Sequence, residues 1–459
     1  MPGFITRPVK LEVKFTVIVV GGSITGLTLA HSLDRAGIDY IVLERHENIT
    51  PALGSCVGIM PNGGRILDQL GLFDAIESEI EPIHRSHTCY PDGFSFTNAF
   101  PDIINKRFGY PLSLLDRQKL LSILYDTLND KSRVYLGKEV VKVEQLSNLV
   151  RVSTNDGHVY DGDLVVGADG VHSKVRSEMW KTADLINPGL ITPQEKHATK
   201  AEYACIYGIS WNIPELVIGD QVTCVYDGVS VMTFNGSQGR IIWFVTKKLD
   251  KRYHYPDIPR FTNVDAQKVC EGIQTKAIWG NVTFADIWAG RESYWMTALE
   301  ENVFEHWHVG RVVCLGDSIH KLTQNVGQGA NCAIESAAAL ANSLHDLINV
   351  RNIHRPSNNE METCLNSFSE SRKKRMKVIC KDAAFVTRLE ARDGLVCRLI
   401  GRYYAPYCSD FPADAASKLI AGAVMLNYIA MPKRAGGGWM ANPAMAGAQG
   451  SDRRGLFVK

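Results

Sequence analysis

Residues 17–27 read VIVVGGSITGL: an aliphatic run, two glycines, a serine, and a third glycine before a leucine. The surrounding FTVIVV (15–20) is β-branched with no polar alternation, the pattern of a strand buried on both faces of a parallel sheet. From Leu27 to Arg35 the spacing turns helical, and Gly37 stands where a helix C-cap glycine belongs. IDYIVLE (38–44) then reads as a second strand ending in Glu44. Strand, glycine turn, helix and strand make a unit in which the helix N-terminus receives a pyrophosphate and a terminal acid takes ribose hydroxyls. Counted as G-x-G-x-x-G, the turn supplies Gly21 and Gly26 but places Ser23 where the middle glycine belongs. That glycine lets the backbone approach the phosphates closely. Serine is the smallest polar substitute, and its hydroxyl can donate to phosphate, so the fingerprint is altered rather than broken. The alternative is a βαβ turn with a purely structural role.

A chain of 459 residues points to two or three packed units. Hydrophobic residues at 45% and charged residues at 22% are an ordinary soluble balance, and a formal net charge of +1 gives no support to a nucleic-acid partner. The eleven cysteines form no C-x-x-C pair and no signal peptide is evident. These features disfavour a zinc site or a disulfide framework and favour a reducing compartment. The basic run SRKKRMK (371–377) reads as the solvated face of a helix, the alternative being a patch on anionic lipid. LIAGAVMLNYIAM (419–431) is shorter than the roughly 20 residues of a membrane-spanning helix, so it packs on the body or lies at a membrane surface. Residues 436–453, rich in Gly, Ala and Met, read as a loose tail.

Two later stretches extend the pattern. In LVRVSTNDGHVYDGDLVVGADG (149–170) the Asp156-Gly157 pair signals a hairpin, and DLVVGADG is another buried strand ending in Gly and Asp. In RVVCLGDSIHKLTQNVGQGAN (311–331) a buried strand again runs into Gly-Asp, followed by a glycine-punctuated loop and the Ala- and Leu-rich helix CAIESAAALANSLHDLI.

The order of fingerprint with Glu44, Gly167–Gly170, and Gly316–Asp317 resembles the FAD-dependent monooxygenases of the aromatic-hydroxylase type, across about residues 15–345. Within them, GGSITGL, LDQLGL, DRQKLLSIL, HWHVGRVVCLGDSIHK and VGQGAN are similar to fungal enzymes that epoxidise prenyl chains in meroterpenoid and indole-diterpene pathways. In that subgroup the serine-bearing fingerprint is typical. The resemblance implies FAD contacts at Gly21, Ser23, Gly26, Glu44 (adenosine ribose), Gly58, Arg117, Asp169, Asp317 (ribityl–pyrophosphate region), Gly327 and Ala330 (against the flavin ring). Chemistry agrees for several. Arg117 follows Asp116, a good N-cap, and so opens a helix; its alternative is a surface ion pair. Asp317 ends a buried strand, where open α/β sheets bind ligands; its alternative is a helix N-cap. Ala330 lies near a helix N-terminus whose dipole favours negative charge. Two positions depart from the family pattern: Gln324 replaces a common proline, which puts the loop's rigidity in doubt, and Ser336 replaces an aspartate, removing a hydrogen-bond anchor. His320 is expected to be a structural hydrogen-bonding residue rather than an acid–base group. Tyr207, on CIYGIS (205–210), is the one candidate catalytic residue, facing the substrate or else packing in the core.

The expected architecture is α/β: a Rossmann-like FAD-binding unit of residues 1–85, 110–180 and 290–345, with an inserted antiparallel sheet for substrate at 86–109 and 181–289. A helical region at 346–435 and the loose tail at 436–459 follow. The implied reaction uses NADPH or NADH and O2 to epoxidise an alkene of a prenylated substrate, with no metal, in an intracellular protein that is cytoplasmic or peripherally held at a membrane such as the endoplasmic reticulum. A phenol hydroxylase on the same fold and a non-catalytic prenyl-binding protein are the alternatives. The sequence leaves open the substrate's ring system, the double bond attacked, the choice of NADPH or NADH, and the oligomeric state.

Overall fold

The structure, a computed structural model, describes residues 14–51, 56–408 and 410–441. At its centre Val17, Ile18 and Val19 are fully buried on the strand Thr16–Val20. This strand pairs in parallel with Asp39–Leu43 on one side and Leu164–Gly167 on the other. Among the described residues the sheet has six strands, with Val134–Tyr135 at one edge and Val312–Cys314 followed by His308–Val309 at the other. The glycine turn leads into the helix Ile24–Ala36, which Gly37 closes at φ +68° by donating to Asp34 O at 3.0 Å. Asp156-Gly157 turns the antiparallel hairpin of Val150–Thr154 and Val159–Gly162, with Gly157 at φ +84°. The α/β class and the Rossmann-like core therefore hold.

Among the described residues a second, larger sheet joins eight strands, all neighbours antiparallel except Asp220–Tyr226 beside Arg85–Cys89. Its long members are Lys200–Trp211, Arg240–His254 and Arg291–Val303. Residues 290–345 are expected in the nucleotide unit, but Arg291–Val303 pairs along Lys200–Trp211 and extends the second sheet. Polarity could not reveal this, since RESYWMTALEENV suits either sheet. Alternation along RIIWFVT sorts the two faces. Trp243 and Val245 are fully buried against the helical side, where Trp243 meets Phe284 edge-on at 5.5 Å, while Phe244 and Thr246 turn toward a cavity between the sheets.

The helix Asn358–Glu390 begins with a reciprocal Ser357/Glu360 capping box. SRKKRMK lies on it, but not wholly as a solvated face. Arg372 is buried with Arg375 on Glu335, whose carboxylate draws both guanidiniums inward. The apolar stretch 419–431 leaves its helix at Ala421 and crosses the nucleotide unit, with Leu426 fully buried. Gln69 Nε2 donates to Leu426 O and Ile429 O, both at 2.9 Å, and Arg65 donates to Ala423 O at 2.8 Å. The tail expected from residue 436 starts too early: Trp439 is buried, its ring 3.7 Å from the Arg65 guanidinium and 4.8 Å from Phe108. Indole burial and a hydrogen bond to Phe108 O at 3.0 Å outweigh the glycine-rich composition around it. Residues 442–459 lie outside the described residues. No helix among the described residues is long and apolar enough to cross a membrane.

Candidate active site

Two glycines make the turn possible. Gly21 sits at φ +108°, where a Cβ would come within 2.4 Å of Ala168 O, and a Cβ on Gly26 would stand 1.9 Å from Gly21 O. No side chain fits at either. Glu44, buried just past its strand, accepts from Gly22 N at 2.6 Å and His46 N at 2.9 Å, so it is held against the turn. Ser23 precedes the helix, and its Oγ accepts from Arg117 Nη2 at 2.9 Å, which leaves the hydroxyl hydrogen available to donate. Arg117 opens Arg117–Asp126, where Asp116 caps Gln118 N at 3.0 Å as expected. Burial lowers the Arg117 pKa, while the Asp317 and Glu44 carboxylates oppose that shift. It is a half-buried cation on the same cavity wall as both acids.

Asp317 lies past Val312–Cys314 in a short turn and pairs with Lys321. The Asp169 carboxylate is otherwise engaged: it accepts from Lys174 N at 2.7 Å, Val175 N at 3.0 Å and Ser173 Oγ at 2.6 Å, closing the start of Lys174–Ile186. Burial pushes its pKa up against these bonds. Gly58 and Gly327 face each other across a gap that a Cβ on Gly58 would narrow to 3.5 Å, and Ala330 is in the first turn of Gly329–His345. Gly21, Ser23, Glu44, Gly58, Arg117, Asp169, Asp317, Gly327 and Ala330 all line one cavity of about 1240 Å³; Gly26 packs behind it. A usual small-molecule pocket holds roughly 300–1,000 Å³, so there is room for two occupants.

The far half of the cavity is walled by the second sheet and the C-terminal helices. Tyr207 belongs to this wall, stacked on Trp295 at 5.2 Å and making a long 3.4 Å contact to Gln324 Oε1. Tyr207 thus lines the cavity and packs on its neighbours at once. Burial, then the neighbouring Cys205 and Cys56, push its phenol well above the usual range, so it stays protonated. Gln324 also reaches Thr246 Oγ1 at 3.3 Å, so the loop that lacks proline is tied to the sheet by this amide. Ser336 is an anchor after all: it lies 2.9 Å from His320 Nε2, accepts from Arg372 Nε at 3.3 Å and donates to Cys332 O at 2.9 Å. Burial and the Arg372 charge push His320 down to about 3, so this imidazole is neutral and structural.

Sequence reading missed Asn325, Thr387 and Glu390. Asn325 lines the cavity, donates to Glu390 Oε2 at 2.5 Å and accepts from Thr387 Oγ1 at 2.8 Å. No local signal pairs residues more than 60 positions apart. Burial pushes Glu390 up to about 7 from an ordinary value of 4.5. An acid with a raised folded pKa loses stability as pH rises from the unfolded value through the folded one. Glu390→Gln removes that titration and keeps an acceptor for Asn325. Its stability relative to the parent is therefore expected to rise by about 1–3 kcal/mol between pH 4.5 and 8. Urea midpoints at stepped pH check this, and a constant difference would contradict it.

A nucleotide-type sheet whose glycine turn opens into a cavity walled by a second sheet is built to hold a dinucleotide beside a second molecule. The FAD binding domain family matches residues 14–185 and 243–357. FAD-dependent monooxygenase cle3 of Aspergillus versicolor is 51% identical over 428 residues, covering 93% of this chain and 87% of that protein. FAD-dependent monooxygenase atmM of Aspergillus flavus is 48% identical over 93% of this chain and 89% of its own length. Among solved structures, Klebsiella pneumoniae HpxO complexed with FAD and uric acid superposes with a TM-score of 0.71 at 20% identity, over 91% of this chain and 99% of that one, a likeness of fold. The chain belongs to the FAD-dependent monooxygenases. The residues present fit FAD: a turn with no space for Cβ atoms, an acid held beside it, and a cavity with room for a second molecule.

Proposed function

We propose that this monooxygenase uses NAD(P)H and O2 to epoxidise an alkene of a prenylated polyketide or indole substrate. The observation that carries this reading is the cavity's far half, where Met232, Phe234, Phe244, Val386, Leu389 and Leu419 offer an apolar wall suited to a prenyl chain. Gly21, Ser23, Gly26, Glu44, Gly58, Arg117, Asp317, Gly327 and Ala330 would hold FAD, with Asp169 fixing the loop beside it. FAD, when bound, supplies the redox chemistry that activates oxygen.

The chain's own residues bind, orient and keep water out. Arg117, on the cavity wall with Glu44 and Asp317, would meet the cofactor's phosphates, with the Ser23 hydroxyl as a further donor. Tyr207, a neutral phenol beside Gln324, orients substrate and takes no proton from it. An alkene needs no base, whereas a phenolic substrate would require one to activate it. The test is single-turnover product analysis with a prenylated indole, its saturated-chain counterpart and a simple phenol. The expected result is a product heavier by one oxygen atom, as an epoxide, from the prenylated compound alone. Hydroxylation of the phenol, with no epoxide from the alkene, would overturn the reading.

A further inference from the structure

The helix Gly394–Leu399 runs on through Ile400–Tyr404 and Ala405–Tyr407. Leu395, Leu399, Tyr403 and Tyr407 recur every fourth residue and form one stripe, 50 to 73% exposed. Val396 and Tyr404, also exposed, belong to the adjacent stripe, in which Ile400, Tyr404 and Cys408 line the large cavity. One row of this element thus faces outward while the next turns into the cavity's far end. Scattered apolar residues are ordinary on a surface, but a continuous patch with a polar rim marks an interaction site.

The charges on this element are one-sided. Residues 394–407 contain Arg398 and Arg402 and no acid. With Arg392 and Asp92 they surround a recess of about 160 Å³, bordered by Pro91, Leu399 and Tyr403. Asp92 pairs with Arg402 at 2.8 Å, and Asp227 with Arg392 at 2.9 Å and Arg398 at 3.4 Å, so three guanidiniums face two carboxylates. An apolar stripe with tyrosines, flanked by arginines with excess positive charge, matches an anionic bilayer interface.

We propose that residues 394–407 dock the protein on an anionic membrane surface, with Leu395, Leu399, Tyr403 and Tyr407 in the acyl–headgroup boundary and the Arg392/Arg398/Arg402 recess on a lipid phosphate. Docking brings the cavity end lined by Ile400 and Tyr404 to the lipid, so an apolar substrate enters from the bilayer. That entry route, unlike the docking, rests on the prenylated-substrate reading.

The test is flotation of the full-length holoenzyme with vesicles of phosphatidylcholine alone or with about one third phosphatidylserine. The parent is expected to float with the serine-containing vesicles. Leu399→Asp/Tyr407→Asp should lower the fraction floated with the serine-containing vesicles about tenfold or more, with unchanged flavin content. Arg398→Glu should weaken flotation on the anionic vesicles alone. A parent that fails to float, or variants that float as the parent does, overturns the proposal. So does a dimer on size exclusion that Leu399→Asp/Tyr407→Asp splits while vesicles go unbound, which assigns the face to a second copy. Flotation involves no substrate, so failure of the epoxidase reading leaves its outcome unaffected.

Discussion

Gly26→Ala is expected to purify nearly colourless. The added Cβ would stand 1.9 Å from the Gly21 carbonyl oxygen, a backbone atom that cannot swing aside as a side chain tip would. Relief requires the helix Ile24–Ala36 to move away from the turn, taking with it the amide groups at its N-terminus. Strain of about 3 kcal/mol is expected from such overpacking, which weakens FAD binding about a hundredfold if the turn carries the cofactor. Gly37→Ala is the control: Gly37 sits at φ +68°, unlike the helical Gly26, yet nothing lies within 4 Å of its added Cβ. That variant should lose about 1 kcal/mol of stability and keep its flavin. Flavin absorbance per chain and fluorescence titration of the stripped proteins decide between them. Parent-like FAD affinity in Gly26→Ala would remove the glycine turn from the site.

The second large effect lies away from the cofactor cavity. Glu335 is fully buried on Gly329–His345, its Oε2 2.6 Å from Arg372 Nη1 and 2.7 Å from Arg375 Nε. Its Oε1 accepts from Arg375 Nη2 at 2.8 Å and Asn62 Nδ2 at 2.6 Å. Burial opposes ionisation here, but Arg372 and then Arg375 outweigh it and bring the carboxyl down to about 2. Glu335→Ala leaves two guanidiniums facing an emptied site and should cost about 3–5 kcal/mol, read as a lowered urea midpoint. The folded pKa lies below the ordinary 4.5, so the carboxylate's stabilisation is complete above pH 4.5 and fades as pH falls toward 2. The gap between parent and variant should shrink over that window. Equal midpoints at pH 7 would mean the cluster contributes nothing.

What the sequence disclosed was local. FTVIVV, the glycine turn and Glu44 could be read because a buried parallel strand, a tight turn and a strand-end acid are each specified by neighbouring residues. The strand ends at Gly167 and Cys314 were legible for the same reason. What stayed hidden joins distant residues. SRKKRMK reads as solvated until Glu335 is found beneath it, and nothing near Ser336 announces that its hydroxyl ties His320 to Arg372. Asn325 became part of the cavity only through Thr387 and Glu390 on a helix that follows a different segment of chain. Trp439 was obscured by its glycine neighbours, because composition describes a segment's average and one indole can fix it.

The strap that Gln69, Arg65 and Trp439 form with residues 423–439 has a consequence during synthesis. Arg65 and Gln69 are made well before the residues that satisfy the amide of Gln69 and cover Arg65, which emerge about 370 positions later. At about 5–20 residues per second, that is a delay of roughly 20–75 seconds. Throughout it the nascent chain lacks the Ala423, Leu426 and Ile429 carbonyls that Arg65 and Gln69 meet in the folded protein, and has an open flank on Phe108. Chaperone occupancy should therefore concentrate on the flank around Arg65, Gln69 and Phe108 and end only once Trp439 is free to pack there.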